Sequence, residues 1–109
     1  MQLTKTLHLI NKAPQHSSAL DECLGLILSD PQAHTLMLIE DGVYAALGQA
    51  DTNQHFLQGL QQSKLPAYVL MEDLEARGIS DKVSGVFSLV DYTGFVDLTL
   101  KFSKVQSWA

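Results

Sequence analysis

The chain has 109 residues, of which 46% are hydrophobic and 17% charged, with a net charge of −5 and one cysteine. That length predicts one domain over residues 1–109. The acidic balance, with no run of Lys or Arg, excludes a direct nucleic-acid footprint and disfavours a membrane-surface helix, because both need clustered cations. The single Cys23 excludes an intramolecular disulfide and fits a reducing cytosol. No apolar run approaches the roughly 20 residues of a transmembrane span, and the N-terminus lacks the apolar stretch of a secretory signal.

Leu3 to Ile10 is the first strand, ended by Asn11-Lys-Ala-Pro14. Ser18 is an expected N-cap, with Asp21 three residues on as its capping-box partner. Leu20, Cys23, Leu24, Ile27 and Leu28 then fall at i, i+3, i+4, i+7 and i+8, the inward face of a helix. Ser29-Asp-Pro31 stops it.

The organising stretch is Leu36-Met-Leu-Ile-Glu-Asp-Gly-Val-Tyr-Ala-Ala-Leu47. An uninterrupted apolar run bounded by turn residues predicts a central parallel strand buried on both faces. Gly42 then permits a turn, and Asp41 caps a short helix ending near Gly48. Asn53 caps a further helix carrying Phe56, Leu57 and Leu60, with Lys64 suited to its C-terminal dipole. Pro66 opens the strand Ala67–Met71.

Glu72–Arg77 reads as a short helical turn, with Gly78 at its C′ position. Val86–Val90 is the fourth strand. Asp91 caps a last helix with Tyr92, Phe95, Val96 and Thr99 on one face; β-branching at Val96 and Thr99 lowers its propensity, so its far end is expected to fray or turn into a strand. The tail Lys104–Ala109 carries the only tryptophan, Trp108, and no element is predicted there. Strands alternating with helices and the absence of hairpin signals give an α/β class. The expected fold is a small Rossmann-like (flavodoxin-like) three-layer domain with a mainly parallel sheet of four to five strands.

Several constellations have a chemical reading beside a plain one. Glu40, Asp41, Glu72, Asp73 and Asp91 gather where strands hand over to helices, as in a receiver-like or small-ligand binding domain. Helix capping accounts for them without chemistry and is the default reading. The glycines fall singly, so no nucleotide cradle and no cofactor is predicted. His8, His16, His34 and His55 lack metal-ligand spacing, so no metal is expected and surface or satisfied histidines are the default. Cys23 lies on an apolar helix face, beyond the first turn and beside Asp21 and Glu22. That setting favours a buried, unreactive thiol over a thiolate.

Ordered segments carry a family pattern: Leu7-His8 with Asn11-Lys-Ala-Pro14, Glu40-Asp-Gly-Val-Tyr-Ala-Ala-Leu47, Tyr68-Val-Leu with Asp73-Leu-Glu-Ala-Arg-Gly78, Val90-Asp-Tyr-Thr-Gly-Phe-Val-Asp-Leu-Thr99 and Gln106-Ser-Trp108. Together they resemble the DsrH/TusB family over nearly the whole chain. The resemblance implies a cytoplasmic heterohexamer with TusC/DsrF-like and TusD/DsrE-like subunits. Such complexes relay persulfide sulfur through a sulfur-carrier protein toward 2-thiolation of tRNA wobble uridine or, in the DsrH branch, serve sulfur oxidation. The principal sulfur-accepting cysteine belongs to the TusD or DsrE subunit, so this chain is expected to be a sulfurtransferase complex subunit without it. Leu20-Asp-Glu-Cys23-Leu24 resembles the position where DsrH-type members carry a cysteine, which leaves Cys23 open as an accessory persulfide carrier. Tyr44, Tyr92, Phe95 and Trp108 are the candidate interface anchors, since aromatic residues are enriched in interface cores.

Overall fold

The computed structural model describes residues 5–108. Leu3 and Thr4 of the expected first strand, and Ala109 of the tail, lie outside the described residues. The chain runs β1 (Thr6–Ile10), α1 (Ala19–Ile27), β2 (His34–Leu38), α2 (Gln54–Ser63), β3 (Ala67–Leu70), α3 (Met71–Ala76), β4 (Ser88–Val90), α4 (Tyr92–Lys101) and β5 (Lys104–Trp108). The strands form one sheet in the order β4-β3-β2-β1-β5. Every strand pairing in it is parallel. The chain is thus an α/β sandwich of helix, sheet and helix, as the alternation of elements requires.

β2 occupies the middle, and its run Thr35–Leu38 is buried, in keeping with a strand covered on both faces. Ile10, Leu36, Leu38 and Val69 pack on one face against Leu20, Cys23, Leu24 and Ile27 of α1 and Phe56, Leu57 and Leu60 of α2. Leu7, Met37 and Leu70 face the other way, toward Phe95, Leu98 and Phe102. Successive residues of a strand point to opposite faces, so one strand serves both cores.

Several local expectations need correction. Gly42 does sit in the turn, its N–H on the Ile39 carbonyl at 2.9 Å, and it is needed because a Cβ there would overlap the Ile10 carbonyl on the backbone of β1. The left-handed residue is Glu40, at φ 50°. Its N–H donates to Asp73 Oδ2 at 2.6 Å, which fixes that conformation from a helix 33 positions away. β2 leads through Ile39 into a 3-10 helix, Glu40–Ala46, and Asp41 does not cap it. Ser18 likewise bonds Glu22 Oε1 at 3.0 Å rather than Asp21, while Ser17 Oγ accepts from the Ala19 N–H.

Asn53 is buried rather than capping α2: its Nδ2 donates to the carbonyls of Tyr44 and Leu47. Asp91 does cap α4, accepting from the Gly94 N–H at 2.8 Å. That helix holds its form to Lys101, but its inward face is Phe95, Leu98 and Phe102, so Tyr92 and Val96 turn outward. The tail forms β5, in register with β1 from Thr6↔Lys104 to Ile10↔Trp108.

Candidate functional site

The carboxyl ends of the strands carry the acidic residues, as expected, and four of the five have partners. Asp41 accepts from Arg77 Nε at 3.1 Å and Nη2 at 2.8 Å. That hydrogen bond holds Arg77 above its ordinary pKa. The Arg77 guanidinium in turn lies 5.9 Å from the Tyr44 ring centroid. Asp73 holds Glu40, Glu72 accepts from the Tyr92 N–H at 2.9 Å, and Asp91 caps α4. These carboxylates tie loops to helices. Among the described residues, no group of three or more His, Cys, Asp or Glu is placed to hold a metal ion. The same edge has a cavity of about 220 Å³ between the first turns of α1 and α2, lined by Leu20 and Phe56 and spanned by the Asp21–His55 pair at 3.2 Å.

Cys23 lies one turn beyond Leu20 and is fully buried against the sheet. Burial pushes its thiol up to about 12. A thiolate there would be a bare charge in an apolar setting, with no cation to offset it. In this conformation the sulfur is closed to a sulfur donor.

The four aromatic candidates do not form one patch. Tyr92 and Phe95 meet edge to face at 6.3 Å on α4. Tyr92 is 61% exposed, and it continues along the helix into Val96 at 41% and Leu100 at 79%. The spacing i, i+4, i+8 makes these three an apolar stripe on the side away from the sheet. Tyr44 sits apart, over Arg77. Trp108 packs against the α1/α2 core.

Trp108 belongs to an arrangement that sequence reasoning missed. Its Nε1–H donates to His8 Nδ1 at 3.0 Å, and His8 Nε2 lies 2.9 Å from His34 Nδ1. Indole can only donate, so His8 Nδ1 must accept and its proton sits on Nε2. His34 Nδ1 then accepts in turn. Burial, with His34 and Lys104 nearby, lowers the His8 pKa to about 4, so the ring is neutral. A sequence signal existed: a histidine between Leu7 and Leu9 in a strand with neighbours on both sides has no water to turn to.

A family model described as DsrH like protein matches residues 12–105. The chain belongs to the DsrH/TusB family. Within this family, Protein TusB of Pectobacterium parmentieri is 35% identical over 102 residues, covering 94% of this chain and 99% of its own. Protein TusB of Escherichia coli (strain K12) is 34% identical over the same shares. The ychN protein of Escherichia coli, whose crystal structure is known, superposes with a TM-score of 0.80 over 95% of this chain and 98% of its own, at 23% identity. That likeness shows the fold alone. The DsrH/TusB assignment agrees with the resemblance carried by the sequence motifs and with the parallel α/β sheet. No helix among the described residues is long and apolar enough to cross a membrane.

Proposed function

We propose that this chain is a non-catalytic, single-domain subunit of a cytoplasmic heterohexameric sulfur-relay complex, built with TusC/DsrF-like and TusD/DsrE-like subunits. The observation that carries the reading is the outer stripe of α4. Tyr92, Val96 and Leu100 lie in a row on a helix whose ten residues all keep some solvent exposure, which leaves apolar surface for a sister subunit to cover. Family membership supplies the kind of partner. The TusB name borne by the relatives favours the branch that serves 2-thiolation of tRNA wobble uridine. The negative charge leaves tRNA contact to other members of the complex, and the carrier protein meets the complex through them.

Cys23 enters this function as a packing residue of α1. Its burial and raised pKa support that role over persulfide transfer, which would require the sulfur to be uncovered. Two measurements test the reading together. Affinity-tagged chain expressed in its native cell should recover two small related α/β chains in equal amount, and Leu100→Asp should abolish that recovery while leaving the fold intact. Alkylation of the native complex should leave Cys23 unmodified and label it only after denaturation. Recovery of neither chain overturns the assembly. Rapid native labelling, or a reductant-sensitive mass gain of one sulfur on Cys23, overturns the packing role.

A further inference from the structure

The amino ends of the strands differ in charge from the carboxyl ends. Four of the seven Lys and Arg residues lie there: Lys5 before β1, Lys64 between α2 and β3, and Lys101 and Lys104 around the entry to β5. Asp30, in the connection into β2, is an acid at the same edge. Between these elements opens a cavity of about 550 Å³, lined by Lys5, Lys64, His34, Gln32, Pro31 and Pro66 among others. No carboxylate is among its lining residues. Its volume falls in the range of small-molecule sites.

Two features mark this cavity as built rather than incidental. The first is the chain Trp108→His8→His34, in which His8 is buried and its two partners are partly so. By fixing the His8 proton on Nε2, Trp108 makes His34 Nδ1 an acceptor. The remaining proton of His34 must sit on Nε2, and that N–H has no partner among the described residues. A residue on the cavity wall is thereby held in one tautomer, with one free donor. The second is Lys64, which closes α2 in left-handed backbone at φ 59° with its N–H on the Leu60 carbonyl at 3.1 Å. Glycine is the usual residue at that place because it avoids the Cβ clash. The dipole of α2 would be met as well by a lysine one position earlier in ordinary helical backbone. The left-handed backbone keeps a lysine among the residues that line the cavity.

Two lysines, a histidine whose Nε2–H is its donor and no carboxylate among the lining residues suit a doubly charged oxyanion. Pro31 and Pro66 give the cavity an apolar wall, with room beyond what a bare anion fills. We propose that the amino-edge cavity binds a small phosphate monoester, its phosphate held by Lys5, Lys64 and the His34 Nε2–H and its organic body lying against Pro31 and Pro66. The site lies on the opposite edge from the acidic cluster.

The test is calorimetric titration of the full chain with adenosine 5′-monophosphate, adenosine and inorganic phosphate. The monoester should bind with a Kd below about 1 mM, inorganic phosphate more weakly, and adenosine not measurably. The double variant Lys5→Ala/Lys64→Ala should weaken monoester binding at least about tenfold. His34→Ala should weaken it roughly fivefold, while His34→Gln, which keeps a donor, should stay within about twofold of the parent. Trp108→Phe removes the group that sets the tautomer, and histidine nitrogen NMR should then show His34 with protons on both possible nitrogens. The variants at partly buried His34 keep the test open if Trp108→Phe does not fold. Absence of monoester binding overturns the proposal. So does binding of adenosine as tight as that of the monoester, or binding unchanged by loss of both lysines.

Discussion

α1 and α4 are nearly equal in length, nine and ten residues, and lie on opposite faces of one sheet. α1 buries Ala19, Leu20, Cys23, Leu24 and Ile27, while α4 keeps every residue at least partly exposed. The difference is not one of hydrophobic content. α4 carries Tyr, Phe, Val and Leu, but spreads them around its circumference, so that Phe95 and Leu98 face the sheet while Tyr92, Val96 and Leu100 face outward. A helix that is apolar on two sides needs two partners, and the chain itself supplies one.

The contrast can be broken most severely on the closed side. Ile27→Ala should cost about 2–5 kcal/mol in chemical denaturation, because the fully buried side chain leaves a cavity that α1 and the sheet cannot collapse around. A cost under about 1 kcal/mol would mean that the closed face is looser than its packing indicates.

The next effect is pH-dependent and belongs to the same face. His8 ionises at about 4 in the fold against 6.5 in the open chain, so the unfolded state takes up the proton first as pH falls. The stability that neutral His8 provides is complete above about pH 6.5 and is lost progressively toward about pH 4, by up to about 3 kcal/mol. Denaturation midpoints of the parent should fall across that window, and those of His8→Gln should fall less. Parallel curves would show that the buried chain does not govern acid sensitivity.

The smallest effect tests the open side. Leu100→Asp should change the stability of the isolated chain by no more than about 0.5 kcal/mol, since its side chain stands largely in water. A large loss would place Leu100 in the chain's own core and remove the outer stripe.

Most of the closed side was legible in the sequence. The i, i+3, i+4, i+7 spacing from Leu20 named the buried residues of α1, and the apolar run at Leu36 placed the middle strand. The signals there are local and repeat with the period of the element. β5 was not legible because Lys104-Val-Gln-Ser-Trp108 lies at the sheet edge, where one apolar residue in two is not required. The roles of Asp41 and Asp73 were hidden for another reason. Their partners, Arg77 and the Glu40 N–H, lie 36 and 33 positions away, and capping rules see only neighbours. The site residues divide the same way. The Cys23 environment followed from its helix face, whereas the Trp108–His8–His34 chain needed the parallel pairing of β1 with β5.

That pairing also sets the order in which the molecule can be completed. Trp108 and His8 stand 100 positions apart, yet they meet across adjacent strands. While the chain is being made, β1 can pair with β2 early, but its other edge stays open until residues 104–108 arrive. An open strand edge is a template for pairing with any other chain. The interval between synthesis of β1 and arrival of β5 is therefore when this chain is most exposed to misassembly, and slow translation of its last quarter should lower the yield of folded protein.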